Sequence, residues 1–418
     1  MTDFMQQGIG RLRLSVEPNG SYAVDRTGTI GNFFDLRWFE ATPNQTQAMA
    51  PNPIVVQRYW EHTKDQLGFE RPVFELRSPF TGYGSAINAA ASVTKTKQMT
   101  VLEAILGGYN NPGAGSLVAS GASTTGCVVT AAQGSRFTPG GIVWVEVGGA
   151  YEPTKVKTVS TDTLTFAWAL SGTPSVGAVI LNSLHAFPEE PSVAQTYLQA
   201  LWEAAINREH IFLLRGLQAT GFALSMSLNE QATWTASLAG AALDHDDDIA
   251  TPQGGSSIAA ATYDGGEPTI ITKGGLLFGP MASTTRTHIC YTSLGFSPNI
   301  SHAPIPCASG TNGIREMWRL RGEAPALTFT CPIEGTNAKT WRAARDAGTA
   351  YHALAYAGGA AGDFRAVECG TLQITDVVEA DGSNGLRGVT VTCKALEDSN
   401  STDQTTSFRR APFRLVSA

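Results

Sequence analysis

Residues 221–240 read GFALSMSLNEQATWTASLAG, and the alternation in this stretch decides the fold class. Phe222, Leu224, Met226 and Leu228 alternate with Ala223, Ser225 and Ser227. After the polar break Asn229-Glu230-Gln231, Trp234, Ala236 and Leu238 alternate with Thr233, Thr235 and Ser237. A period of two places successive side chains on opposite faces of an extended chain, so the two arms form a hairpin with one buried face. The wet face carries Ser and Thr without charge, which suits a sheet covered by neighbours or lining a passage.

The pattern returns downstream. Leu372 and Ile374 alternate with Thr371, Gln373 and Thr375. The turn-rich run Asp381-Gly382-Ser383-Asn384-Gly385 follows, and then Val389, Val391 and Cys393 alternate with Thr390, Thr392 and Lys394. A second match lies upstream of each hairpin. RPVFELRSPFTG (71–82) sits over APALTFTCPIEG (324–335) without gaps, with Pro72/Pro325, Pro79/Pro332 and Gly82/Gly335 identical. Phe74/Leu327, Leu76/Phe329 and Phe80/Ile333 match as apolar positions. Two matches in the same order point to an internal duplication.

The first half is then too long, and the excess falls at Asn111 to Phe187. Its apolar strand at 142–147, Gly148-Gly149 turn and strands at 154–159 and 164–168 read as an inserted barrel-like or Ig-like module. The implied domains are 1–250 (interrupted), 111–187 (the insert) and 251–418, with a Gly/Ser/Thr/Pro-rich linker from Thr251 to Ser257. Helical spacing is confined to 94–106, 191–207 and 336–347. A few helices packed on β layers give a mainly β, α+β class. Residues 42–53 and 301–311, marked by Pro and polar residues, read as extended loops reaching for partners.

Composition removes several function classes. A net charge of −7 argues against a protein that grips phosphates with Lys and Arg. No window is apolar enough for a membrane-spanning helix, and residues 1–13 lack the apolar segment of a signal peptide. Cysteines 127, 290, 307, 331, 369 and 393 form no CxxC pair. Cys331, Cys369 and Cys393 sit in strand-like settings that favour buried thiols, so the expectation is a protein made in a reducing cytoplasm.

No catalytic constellation assembles. The histidines show no HExxH spacing, no GxSxG elbow occurs, and Glu189-Glu190 before Pro191 suit a helix start better than acid–base chemistry. Asp244-His245-Asp246-Asp247-Asp248 could attract a hard cation but lacks the Gly and distal Glu of a calcium loop, so a solvated acidic loop is the favoured reading. Trp144, Tyr151, Phe166 and Trp168 are either core or an aromatic sugar-binding face. The expectation is a non-enzyme without cofactor or metal.

GLQATGFALS (216–225) with its Thr/Ser-rich return strand (233–241), and GTLQITDVVEADGSNGLRGVTVTCKAL (370–396), resemble the tube domains of the long-tailed bacteriophage (siphophage) major tail tube protein family. The insert, with FTPGGIVWVEVGG (137–149), looks like small β modules added to tail proteins. The resemblance implies two tandem tail-tube-like β barrel or sandwich domains, each flanked by a helix. It further implies rings of three chains with pseudo-hexameric symmetry, stacked into a tube through which DNA passes. The expected partners are further copies of the chain, a tape measure and a terminator protein, with DNA touched non-specifically. The expected place is the virion tail, made in the host bacterial cytoplasm. An insert too large for a lumen would decorate the outside, which favours a sheathless tail. Candidate assembly contacts are Thr42, Pro43, Pro51, Pro53, His302, Pro304, Pro306, Phe408, Arg409 and Arg410. Alternative readings are a distal-tail or terminator protein of the same fold, or a carbohydrate-binding, adhesin-like virion protein.

Overall fold

The computed structural model describes residues 10–17, 33–38, 40–50, 66–189, 197–204, 211–240, 242–245, 265–285, 287–311, 314–320, 323–333, 337–381, 387–398 and 406–418. The first half supplies β1 (Gly10–Val16), β2 (Phe34–Asp35), β3 (Glu40–Ala50), β4 (Gln66–Pro79), α1 (Lys97–Leu106) and β5 (Gly107–Asn110). Six strands then form the insert: β6 (Ser116–Ser123), β7 (Gly126–Val129), β8 (Ile142–Val147), β9 (Ala150–Ser160), β10 (Thr163–Phe166) and β11 (Val179–Leu181). The half closes with β12 (Leu184–Pro188), β13 (Leu198–Ala204), β14 (Ile211–Ser227), β15 (Thr233–Ala239) and β16 (Ala242–His245). The second half runs β17 (Gly274–Pro280), β18 (Thr287–Ile289), β19 (Ser293–Ser297), β20 (Ser301–Thr311), β21 (Ile314–Leu320), β22 (Ala326–Pro332) and α2 (Asn337–Asp346). It ends with β23 (Ala350–Ala357), β24 (Arg365–Asp381), β25 (Arg387–Leu396), α3 (Ser407–Arg410) and β26 (Arg414–Ser417).

Both hairpins read from alternation are present. β14 and β15 set Phe222 opposite Ala236 and Leu224 opposite Trp234, and β24 and β25 set Ile374 opposite Cys393 and Val377 opposite Val391. Phe222, Leu224, Met226, Trp234 and Leu238 are buried, while Ala223 and Ser225 between them are exposed.

The two halves repeat one connectivity. In the first, β1 pairs with β2 and β13, β13 with β14, β14 with β15 and β16, β15 with β4, and β4 with β3. In the second, β17 pairs with β18 and β23, β23 with β24, β24 with β25 and β26, β25 with β22, and β22 with β19. α1 falls between β4 and β13 in the chain, as α2 falls between β22 and β23.

The repetition extends to a defect. Pairing slips between Ala219 and Gly221 and between Ile374 and Asp376, which leaves Thr220 and Thr375 as the extra residues of β-bulges. Thr220 donates its hydroxyl to the Ser237 carbonyl at 3.1 Å, and Thr375 donates to the Thr392 carbonyl at 3.0 Å. One sequence shift carries 220 to 375 and 237 to 392. A second shift, that of the gapless alignment of 71–82 over 324–335, carries the pair Pro43–Phe74 to Phe296–Leu327 and Glu40–Arg77 to Ser293–Thr330.

α1 and α2 lie within the sequence-predicted helices at 94–106 and 336–347. Thr96 caps α1 by accepting the Met99 N–H, and Gly107 ends it at φ 96°, a left-handed backbone that favours glycine. The predicted helix at 191–207 is instead strand β13 where it is described. Leu198, Gln199, Ala200 and Leu201 are all buried because β13 lies between β1 and β14, and burial on both faces erases the two-residue period. The predicted loops at 42–53 and 301–311 are also strands where described. β3 pairs along its length with β4, and β20 pairs with β21 with Pro304 opposite Met317. These prolines sit in strands whose other side is unpaired among the described residues, where a missing N–H is tolerated. Pro51, Pro53, the linker 251–257 and Asp246 to Asp248 lie outside the described residues.

The insert is a closed barrel in the order β10-β7-β6-β11-β8-β9. Its core gathers Val118, Cys127, Val129, Val143, Val145, Val156, Leu164, Phe166 and Ile180. IVWVEV in β8 is apolar on both faces for a structural reason. Val143 and Val145 point into the barrel, and Ile142 and Trp144 point out onto Leu354, Phe364, Ala366 and Val416 of the second half.

Candidate assembly interface

The halves join edge to edge. The end of β14 pairs antiparallel with β19, setting Leu224 opposite Phe296, Ser225 opposite Gly295, Met226 opposite Leu294 and Ser227 opposite Ser293. Leu224, Met226, Leu294 and Phe296 are buried in one hydrophobic core that runs through both halves and includes Phe74, Leu76, Leu327 and Phe329. The other face of the joined sheet shows Ala223, Ser225, Ser293 and Gly295 exposed, with Thr235, Thr328, Thr330, Thr390 and Thr392 half-buried. Thr330 and Thr390 hydrogen-bond across β22 and β25 at 2.9 Å. This hydroxyl-rich strip, flanked on the same face by the exposed Glu75 and Arg77 of β4 and Lys394 of β25, is the one that the alternation of 221–240 exposes.

The join uses one edge from each half and leaves the counterpart edges open. Beyond Ile374, β24 pairs with β25 alone, and β3 pairs with β4 alone, among the described residues. Exposed edges present unpaired N–H and C=O groups, which are templates for pairing with another chain.

Of the candidate contacts, Thr42 and Pro43 lie on β3 opposite Glu75 and Phe74. Pro304 and Pro306 lie on the β20–β21 hairpin. His302 is buried, its Nδ1 at 2.5 Å from the Ala219 carbonyl oxygen, so it ties β20 to β14 within the chain. Phe408, Arg409 and Arg410 do not form a loose tail. Phe408 packs against His185 and Phe187, and the carbonyls of Phe408 and Arg409 accept from Arg414 Nη2 at 2.6 and 3.2 Å. The Arg410 carbonyl accepts the Asp398 N–H at 3.1 Å.

That contact set leads to a group of four buried charges which fixes the insert in place. Lys155 of the barrel reaches Glu368 on β24 at 2.9 Å and also bonds Asp398. Arg414 on β26 bonds Glu368 and lies 3.3 Å from Asp398. All four are buried, and two cations balance two carboxylates. Gly370 makes room, since a Cβ there would lie 2.2 Å from Asp398 Cγ. The Arg414 guanidinium also sits over the Phe408 ring, 4.9 Å from its centroid. The sequence offered no signal for this group, because Lys155 lies more than two hundred residues from Glu368 and Asp398 and in a different module.

His185 lies beside this group, fully buried, with Nε2 accepting the Ile142 N–H at 2.9 Å. Burial, and then the positive Arg414, push its pKa down to about 3 from the usual 6.5. The unfolded chain therefore binds a proton between these values that the folded chain refuses. This contribution is complete above pH 6.5 and is lost as the pH falls through the window. At about 1.4 kcal/mol per unit, moving from pH 6.5 to 4.5 costs roughly 2–3 kcal/mol. Urea midpoints measured across that range should fall less in His185→Gln than in the parent; equal slopes would refute the assignment.

Trp144 and Trp168 are buried, so neither is available to stack on a sugar. Trp144 instead stacks on Phe364 at 4.0 Å and meets Tyr356 edge-on at 5.6 Å. Cys127 and Cys393 are equally enclosed: burial raises them to about 11 and about 12, and both remain protonated and poor nucleophiles. Among the described residues no group of three or more His, Cys, Asp or Glu could hold a metal ion, and no helix is long and apolar enough to cross a membrane. Comparison with protein-family models and with curated proteins returned no match.

Proposed function

We propose that this chain is a structural, non-enzymatic subunit of a long-tailed bacteriophage tail tube, in which three copies present six repeats around a channel for DNA. Rings stack into a sheathless tube in the virion tail, with tape measure and terminator proteins as further partners and no cofactor. The observation that carries this reading is the join between β14 and β19. Two equivalent units meet edge to edge there, and the counterpart edges, on β24 and β3, have no second strand partner among the described residues. A unit that pairs head to tail with its own duplicate can continue the pattern, and head-to-tail contacts close as rings or extend as filaments. The Ser/Thr-rich strip at the join and the net negative charge suit a lumen that lets a polyanion slide without holding it.

Light scattering and negative-stain electron microscopy of the purified protein test the proposal. The expected result is three-chain rings and long uniform tubes. Isolated rings that never stack would favour a distal-tail or terminator role. A strict monomer at high protein concentration would overturn the reading.

A further inference from the structure

We infer that the open margin of β24 in one copy pairs with β3 of the next, in the register Glu379 opposite Pro43, Ala380 opposite Thr42 and Asp381 opposite Ala41. The inference deepens the proposed ring and rests on it.

The register follows from the internal repeat. The hairpin match carries Leu224, Ser225 and Met226 of β14 to Glu379, Ala380 and Asp381 of β24. The strand match carries Phe296, Gly295 and Leu294 of β19 to Pro43, Thr42 and Ala41 of β3. Transferring the observed pairing of β14 with β19 onto these equivalents fixes one alignment, with no adjustable slip. The occupant of both open edges is therefore a second copy of this chain.

Two further observations agree. Val378 on the open margin is 51% exposed, an uncovered large apolar side chain where the intrachain join has the small Ala223. Both strands are long enough to pair further, since β3 runs on from Pro43 to Ala50 and β24 extends back from Glu379 through Val378 and Val377. The new join also differs in chemistry from the old one. Glu379, bonded to Arg342 at 3.2 Å, stands where the intrachain join has the buried Leu224. A join carrying a charge at that position is weaker than its apolar equivalent, so the two kinds of join are not interchangeable.

Paired cysteines read the register. In a Cys290→Ser background, Thr42→Cys/Ala380→Cys should give, on oxidation, a covalent ladder that stops at three chains on a non-reducing gel. Ser225→Cys/Gly295→Cys is the internal standard: it should close within one chain, and nothing lies within 4 Å of a Cβ at Gly295 to obstruct it. Thr42→Cys/Gln373→Cys, displaced along β24, should give only traces. Rings seen by microscopy with no ladder from the Thr42/Ala380 pair, while the internal standard closes, would overturn the register and leave the ring intact. A ladder as strong from the Gln373 pair would also overturn it. Absence of both rings and ladder would defeat the proposed function itself, and a ladder running past three chains would keep the register but reject closure at three.

Discussion

Lys155→Met is expected to destabilise the protein by about 3–5 kcal/mol, the cost of removing one partner from a buried ion group. The side chain supplies one of two cations facing Glu368 and Asp398, and all of these groups are buried. Without it, two carboxylates share Arg414 alone, and the site carries an uncompensated negative charge in a medium that solvates it poorly. Adding Asp398→Asn to Lys155→Met removes that excess charge and should restore part of the loss. Urea-melting midpoints of the parent, single and double variants measure this. A single variant as stable as the parent, or a double variant no better than the single, would show that the four charges do not act as a unit.

Trp144→Ala should cost a comparable ~3–5 kcal/mol, the range for truncating a buried large aromatic. The indole belongs to the contact between barrel and second half and not to the barrel's own core, where Val143 and Val145 sit. The loss should therefore appear as earlier separation of the insert. Proteolysis between 111 and 116 or between 181 and 184 should accelerate while the barrel fragment stays resistant. Trp144→Phe, which keeps a ring to stack on Phe364, should lose much less. Uniform digestion of barrel and body together would count against a docked but separately folded insert. Lys155 and Trp144 meet the same surface, so their effects should not add.

The parts of this architecture legible in the sequence are those where one face of a strand meets water. The arms at 222–228 and 389–394 alternate cleanly because Ser and Thr mark the open side. β13 did not, since Leu198, Gln199, Ala200 and Leu201 are buried on both sides, and its apolar spacing happens to suit a helix. β3 and β20 were obscured by proline and polar residues, which are tolerated where a strand has no second neighbour to receive a backbone donor. The insert's strands were readable, but its docking was not. Nothing in IVWVEV separates the residues that fill the barrel from those that meet Phe364, and Lys155 has no local partner that would mark it as buried. The duplication was visible as a short gapless match, and pairing register extends it from a few identities to nearly every strand.

Fusing two repeats into one chain also has a kinetic consequence. The join between β14 and β19 forms within a molecule, at an effective concentration that tethering typically raises to the millimolar range. The joins proposed between chains would depend on encounters between molecules, at whatever concentration synthesis supplies. In the proposed ring, fused pairs would need two bimolecular steps before closure, where six single units would need five. In that ring the intermolecular joins would be the ones where Glu379 stands in place of the apolar Leu224.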